Sequence, residues 1–240
     1  QKQKTSNKYS IGALFTMFGN NIFTQVKRSE NKKMAAIAQF LKENDLSVDT
    51  TVEVFITVTR DDRLIACGGI AGNIIKCVAI CESVRGEGLA LTLATELINL
   101  AYERHCTHLF IYTKTEYESL FKQCGFSTLT SVPGIMVLME NSTTRLKRYA
   151  ESLAKQRHEG KKIGCIVMNA NPFTNGHRFL IQQAAAQCDW LHLFLVKEDT
   201  SRFPYEDRLD LVLKGTKDIP RLTVHRGSEY IISQIGRAHV

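Results

Sequence analysis

The residues best suited to chemistry form a short polar group, Thr174, Asn175, Gly176 and His177, between an apolar run and an amphipathic one. The imidazole of His177 can stabilise the charge that builds on an α-phosphate as pyrophosphate leaves. Thr174 or Asn175 offers a second hydrogen-bond donor, and Gly176 lets the backbone approach a nucleotide closely. The group predicts a nucleotide site in which His177 and Thr174 are catalytic and Gly176 binds the nucleotide.

This polar group lies where a strand passes into a helix. The pattern predicts a strand at Ile163–Met168, a turn at Asn169–Asn175 and a helix at Gly176–Cys188. A helix that starts at the carboxyl end of a parallel strand points free backbone N–H groups at the crevice where phosphates bind. The competing interpretation is a loop of turn-forming residues with His177 as an ordinary first-turn residue, but the flanking strand and helix favour the nucleotide site.

Three further residues, Asn169, Asn171 and Lys197, are candidates for binding the nucleotide because they follow predicted strands at the same edge of the sheet. Strands and helices alternate through this half of the chain, which implies a parallel sheet with right-handed crossovers. The remaining predicted elements are a strand at Leu191–Val196, a helix at Tyr205–Lys214 and a strand at Leu222–His225.

A second group of residues, Arg85, Gly86, Gly88 and Ala90, also lies between a predicted strand and a predicted helix. Glycines at such a turn uncover the backbone amides of the helix, and these can bind the diphosphate of a CoA-like molecule. The alternative is a glycine-rich turn that binds no ligand. Tyr117, farther along the chain, is a weaker candidate for a catalytic group.

The first half of the chain reads as an α/β domain at residues 1–140, followed by a charged helical connector at 141–160 and a second domain at 161–240. The elements predicted in the first domain are a helix within 27–43, a hairpin of Thr51–Thr59 and Leu64–Gly69, a strand at Ile74–Cys81, a helix at Gly88–Tyr102, a strand at Leu109–Thr113 and a short helix at Glu116–Cys124.

Composition narrows the function further. The net charge of +7 is dispersed and no aromatic-interleaved basic stripe accompanies it, so we expect no nucleic-acid partner. Because no run of eighteen apolar residues occurs and the first residues are polar, we expect no membrane partner and a cytoplasmic location. The seven cysteines are scattered without C-x-x-C spacing, which predicts reduced, buried thiols and no metal site built from protein side chains.

The first group carries a family resemblance. Residues 168–177 resemble the T/HxGH motif of the nucleotidyltransferase superfamily, in the form found in the citrate lyase ligases. Residues 203–212 and 227–233 are similar to downstream segments of that family. Residues 85–90 and 121–126 resemble the pyrophosphate loop and the closing helix and turn of the GNAT acetyltransferases. Citrate lyase ligases contain these two domains in this order, so the resemblance covers nearly all of the chain up to Ser233.

The resemblance implies both fold and function. The fold would be α/β, with a GNAT acetyltransferase-like domain followed by a Rossmann-like, HxGH-type nucleotidyltransferase domain with a parallel sheet. The enzyme would activate acetate with ATP and Mg²⁺, and acetylate the thiol of the dephospho-CoA-derived prosthetic group on the acyl carrier subunit of citrate lyase, releasing AMP and pyrophosphate. The N-terminal domain would bind CoA or acetyl-CoA through Arg85, Gly86, Gly88 and Ala90.

Two other functions stay open. One is an acetyl-CoA-dependent N-acetyltransferase with a nucleotide-binding appendage, and the other is an inactive, truncated fragment that binds CoA or a nucleotide. The second phosphate-binding signature of the family, a Ser/Thr-rich segment, is represented only by Ile231-Ile232-Ser233 before a divergent tail. We therefore expect a nucleotidyltransferase domain that is incomplete at its C-terminus, binds ATP weakly and turns over slowly.

Overall fold

The computed structural model of the protein describes residues 15–18, 20–86, 88–197 and 202–231. The chain divides between Thr143 and Thr144 into two units, and each has its own hydrophobic core. The helix of the predicted connector, α4 (Arg145–Ala154), is grouped with the second unit. In the described part of the chain, no helix is both long and apolar enough to cross a bilayer.

The described strands of the first unit form a single mixed sheet in the order β1-β2-β3-β4-β5-β6-β8-β7. Neighbouring strands are antiparallel except β5 and β6, which are parallel. The strands are β1 (Phe15–Phe18), β2 (Asn21–Lys27), β3 (Val54–Arg60), β4 (Arg63–Ala71), β5 (Ile74–Ile80), β6 (Phe110–Lys114), β7 (Ser127–Val132) and β8 (Met136–Glu140). The helices are α1 (Asn31–Glu43), α2 (Leu89–Glu103) and α3 (Glu118–Gln123).

Three predictions in this unit need correction. The helix expected within 27–43 starts only at Asn31, because β2 runs through Lys27 and buries Phe23 and Val26. The short helix expected at Glu116–Cys124 is a 3₁₀ turn at Thr115–Tyr117 followed by α3. The sequence pattern also predicts no strand where β1, β2, β7 and β8 lie, and β7 is largely exposed, so it lacks the alternation that would mark it.

Helix α2 packs directly on the sheet and so fixes the loop that precedes it. Leu93 and Leu97 are fully buried in the core of the first unit. A Cβ atom at Gly68 on β4 would lie 2.5 Å from the Cδ1 atom of Leu97, so only glycine allows the helix this close. Because α2 is packed against the sheet in this way, its first residue and Gly88 before it are fixed close to the end of β5.

The second unit is built on a three-stranded parallel sheet in the order β11-β10-β9. One face of β10 buries Leu191, Leu193 and Leu195 against a core that also contains Ile181 and Val212. The elements are β9 (Ile163–Met168), α5 (Asn175–Ala186), β10 (Trp190–Leu195), α6 (Tyr205–Thr216) and β11 (Leu222–His225). The α/β class and the parallel sheet predicted from the sequence are confirmed.

The seven cysteines are free thiols, but the prediction that they are buried is only partly right. Cys67 and Cys188 are buried, Cys165 is exposed and the other four are half-buried. Side chains alternate along β9, and Ile166 packs against the second core, so its neighbour Cys165 points to the opposite face of the sheet.

A histidine pair joins β10 and β11 on that opposite face. The Nδ1 atom of His192 lies 2.8 Å from the Nε2 atom of His225, whose ring stacks on Phe194. Burial lowers the pKa of both imidazoles, His158 lowers the pKa of His192 further, and His192 does the same to His225. The folded second unit therefore favours the neutral pair.

This pair makes stability depend on pH. Unfolded histidines bind protons near their ordinary pKa of 6.5, whereas the folded pair binds them only at lower pH. We expect the free energy of unfolding to be undiminished above pH 6.5 and to fall as the pH drops from 6.5 towards the folded pKa values. Urea denaturation followed by the fluorescence of the single tryptophan, Trp190, measures this loss. His192→Gln should reduce the loss, and an identical pH dependence in this variant would contradict the assignment.

Candidate active site

Helix α5 presents its first turn at the carboxyl edge of the parallel sheet. Thr174 is the N-cap residue and has an extended backbone, with φ −128° and ψ 169°. Thr174, Asn175 and Gly176 are exposed, and His177 is half-buried. Because the first N–H groups of a helix have no partner within it, this exposed turn can donate to an anion.

The backbone fixes which nitrogen of His177 can donate. The N–H group of Thr174 donates to the Nδ1 atom of His177 at 3.1 Å, and the Oγ1 atom of Thr174 lies 2.8 Å from the same nitrogen. A backbone N–H can only donate, so Nδ1 is an acceptor and the neutral ring carries its proton on Nε2. Phe173 stacks on the ring with centroids 5.9 Å apart. His177 is thus oriented with Nε2 as its donor.

Arg178, the next residue, is engaged away from this turn. Its guanidinium contacts both carboxylate oxygens of Asp218, at 2.9 and 2.6 Å, and it also donates to the backbone oxygen of Gly215. The hydrogen bond from Arg178 lowers the pKa of Asp218 to about 2. Arg178 therefore ties α5 to the end of α6. Of the two neighbours His177 and Arg178, only His177 is placed to contact a ligand at this turn.

The turn after β9 is held by a residue that the sequence pattern did not reveal, Arg208 on α6. Its side chain is fully buried. Its Nη1 atom donates to the backbone oxygen and the Oδ1 atom of Asn169, both at 2.7 Å, and to the backbone oxygen of Val196 at 3.0 Å. Its Nε atom donates to the backbone oxygen of Phe203 at 3.2 Å. Arg208 thus joins the ends of β9 and β10 to the start of α6.

Two of the predicted nucleotide-binding residues have structural contacts in this turn. The Oδ1 atom of Asn169 accepts from Arg208, and the Oδ1 atom of Asn171 accepts from the backbone N–H of Phe203 at 3.1 Å. These contacts fix the turn that leads to Thr174. A signal for Arg208 in the sequence is its position among the apolar residues of an amphipathic helix, where a charged side chain has to find buried acceptors.

Lys197 lies at the same edge of the sheet, just after β10. Its Nζ atom forms an ion pair with the Oε1 atom of Glu229 at 2.9 Å. A Cβ atom at Gly227 would lie 2.2 Å from the backbone oxygen of Leu195, so the chain after β11 passes directly against the end of β10. The structure therefore places Lys197, Thr174 and His177 at the carboxyl ends of adjacent strands.

In the first unit, the loop before α2 has the open backbone expected of an anion-binding turn. Gly86 and Gly88 have φ values of +90° and +76°, and no atom lies within 4 Å of a Cβ built at either position. Ala90 is half-buried in the first turn of α2 and packs on the core. The guanidinium of Arg85 lies 3.4 Å from the carboxylate of Glu116. All four predicted residues thus belong to one loop and the helix start that follows it.

Strands β5 and β6 are no longer paired beyond Ile75 and Ile111, on the side of this loop. Their parallel ladder consists of Ile74 with Phe110 and Ile75 with Ile111, although β5 continues to Ile80 and β6 to Lys114. Backbone groups past the end of the ladder can take the amides of an extended ligand, as an open strand edge does with a peptide. The opening and the glycine loop together suit a long ligand with a charged end.

Tyr117, the weaker candidate for a catalytic group, and Lys76 are both buried in the first unit. Burial raises the pKa of the Tyr117 phenol, so this side chain is suited to donate a proton and not to act as a base. The Nζ atom of Lys76 lies 2.9 Å from the carboxylate of Asp49. Among residues 15–18, 20–86, 88–197 and 202–231, no group of three or more His, Cys, Asp or Glu side chains is placed to hold a metal ion.

Comparison with known proteins finds relatives of this chain, and a family model matches most of the second unit. Residues 163–236 match the family model described as the citrate lyase ligase C-terminal domain. The chain is 91% identical over 218 residues to the citrate (pro-3S)-lyase ligase of Escherichia coli strain K12, which covers 91% of this chain and 62% of that protein. Over these residues the chain is similar to the citrate lyase ligases.

A second member of the citrate lyase ligase family, from Haemophilus influenzae, is 52% identical over 207 residues, covering 86% of this chain and 62% of that protein. The chain thus spans about 62% of the length of these two relatives. Among solved structures, an acyl-CoA N-acyltransferase from Pseudomonas aeruginosa is 15% identical with a TM-score of 0.43, covering 50% of this chain and 98% of that one.

Proposed function

We propose that the chain forms part of a cytoplasmic, AMP-forming ligase that activates acetate with ATP and acetylates the thiol of the prosthetic group on the acyl carrier subunit of citrate lyase. The observation that carries this proposal is the oriented His177 at the exposed first turn of α5, within the segment that matches the ligase family. The names of the two relatives support the substrate class.

The reaction proceeds in two steps. A carboxylate oxygen of acetate attacks the α-phosphorus of ATP, the bond to the bridging oxygen breaks, and acetyl-AMP and pyrophosphate form. The thiol then attacks the acetyl carbonyl, loses its proton, and AMP leaves with the electron pair of the broken C–O bond. The Nε2–H group of His177 stabilises the negative charge that builds on the α-phosphate in the first step.

The nucleotide is held at the edge of the parallel sheet. Gly176 and the other first-turn amides of α5 donate to its phosphates, Thr174 orients His177 against them, and Lys197 adds a positive charge. Asn169 and Asn171 keep the turn in position through the oxygens that accept from Arg208 and Phe203. Mg²⁺ accompanies ATP and neutralises the leaving pyrophosphate, bound through phosphate oxygens.

The first unit binds the prosthetic group, whose chemistry resembles that of dephospho-CoA. Its diphosphate lies against Arg85 and the amides beside Gly86, Gly88 and Ala90, and its arm enters the opening between β5 and β6. The same opening favours a second candidate function, an N-acetyltransferase that takes its acetyl group from acetyl-CoA. The second unit matches a ligase family model, so we place the acetyltransferase second.

Product analysis tests these functions. The ligase predicts pyrophosphate release from ATP that requires acetate, followed by AMP release that requires the thiol form of the acyl carrier subunit. An N-acetyltransferase instead releases free CoA from acetyl-CoA without ATP. Binding of ATP and dephospho-CoA with neither reaction would contradict both enzymatic functions and leave a binding module.

A further inference from the structure

A cavity of about 380 Å³ lies beside the open strand pair of the first unit. It is enclosed by the end of β6, the chain after α1 and the turn between β7 and β8. Its polar wall includes Tyr112, Lys114 and Glu116, and its apolar wall includes Leu46 and Met136. A ligand that contains both amide and methylene groups can contact the polar wall with its amides and the apolar wall with its methylenes.

The walls of this cavity are held by contacts made before any ligand binds. The Nζ atom of Lys114 donates to the backbone oxygen of Asn44 at 2.7 Å, which ties β6 to the end of α1. Lys76 on β5 is buried and pairs with Asp49, which follows the cavity segment after α1. The cavity is therefore a preformed feature of the unit.

Glu116 connects this cavity to the glycine loop. Its side chain lines the cavity, and its carboxylate lies 3.4 Å from the guanidinium of Arg85. The two side chains are 41% and 44% exposed, and ion pairs with this exposure contribute little to stability. A diphosphate is a better partner for the guanidinium, because its oxygens carry more charge and match the two parallel N–H groups.

We infer that Glu116 is a built-in counter-ion of Arg85, which the diphosphate of the prosthetic group must displace. The thiol-bearing end of the same prosthetic group enters the cavity lined by Glu116. This inference rests on the proposed binding of the prosthetic group by the first unit. A ligand without a diphosphate leaves the pair of Arg85 and Glu116 closed. The pair therefore disfavours ligands that lack a diphosphate.

Calorimetric titration of the 240-residue chain with dephospho-CoA, ADP and pantetheine tests the counter-ion role, with the proposed nucleotide site of the second unit saturated with AMP. Glu116→Gln should tighten the binding of dephospho-CoA and ADP by about three- to fivefold at low salt, because it removes the competing carboxylate. Glu118→Gln is the matched control, because it removes the same charge two positions along the chain. The carboxylate of Glu118 pairs with Lys122. This control should bind like the unmodified chain.

A second variant tests the cavity. Met136→Trp fills space on the apolar wall, so it should weaken dephospho-CoA binding about tenfold or more and leave ADP binding unchanged. Far-UV circular dichroism and thermal unfolding like those of the unmodified chain show that the variant is folded.

These outcomes distinguish failure of the proposed binding of the prosthetic group from failure of the roles of Glu116 and the cavity. If the unmodified chain binds no dephospho-CoA, the proposed arm site fails and this inference fails with it. If the unmodified chain binds dephospho-CoA but Glu116→Gln behaves like Glu118→Gln, the counter-ion role alone is overturned. Equal dephospho-CoA affinity in Met136→Trp and the unmodified chain would overturn the role of the cavity.

Discussion

Replacing His177 with alanine should lower the rate of acetate-dependent pyrophosphate release by about 10²–10³-fold, because one donor to the charge on the α-phosphate is lost. Alanine also removes the Nδ1 acceptor for the N–H group of Thr174, which costs about 1 kcal/mol of helix stability. The variant should still fold, since the ring is half-buried and outside the core. Pyrophosphate release and thermal unfolding, measured side by side, check both effects.

A second substitution separates the chemistry of His177 from its capping contact. His177→Asn offers an oxygen to the N–H group of Thr174 and has no donor at the place of Nε2. We expect stability close to that of the unmodified chain and the same loss of activity as in the alanine variant. Phe179→Ala, at an exposed position of the same helix, is the matched control for changes to α5. An unaltered rate in His177→Asn would remove the imidazole from the mechanism.

Replacing Arg208 with methionine should destabilise the second unit by at least about 3 kcal/mol. Methionine leaves the backbone oxygens of Asn169, Val196 and Phe203 without the donor they share, around a side chain that is fully buried. Each buried acceptor that loses its partner costs about 1–3 kcal/mol. Urea denaturation followed by the fluorescence of Trp190 measures the loss in this unit.

Arg226→Met is the control for loss of an arginine charge in the same unit. The side chain of Arg226 is 71% exposed and lies 3.4 Å from the carboxylate of Glu206, so its removal should cost less than about 1 kcal/mol. We also expect Arg208→Met to lose nucleotide binding before it unfolds, because the turn that leads to Thr174 is no longer held. Equal denaturation midpoints for the two variants would show that Arg208 does not hold this edge of the sheet.

The strand, turn and helix around His177 could be predicted because their signals are local. The strands at Ile163–Met168 and Leu222–His225 have the predicted bounds, and the first of them is marked by its own nearly continuous apolar residues. The same holds for the glycine loop, where Gly86 and Gly88 adopt the positive φ that their missing side chains allow. The site residues themselves stay predictions, and the structure shows where each one lies.

Four strands at the two ends of the sheet in the first unit were beyond such signals. β1, β2, β7 and β8 gain their hydrogen bonds from partners elsewhere in the sheet, and an exposed strand such as β7 buries too little to show a periodic pattern. The expected burial of Cys165 was wrong for a related reason. The sequence identifies β9 as a strand, but packing decides which of its two faces is covered.

The sequence by itself determined the order of the elements in the second unit, its parallel sheet and the two glycine-containing turns, because each depends on residues close together in the chain. Only the tertiary structure decided which charges meet. Arg85 and Glu116 are 31 positions apart, and Lys197 and Glu229 are 32 apart. Arg208 reaches Asn169 across 39 positions. Such pairs form when the folded sheet brings distant segments to one edge, and no local preference of either residue encodes its partner.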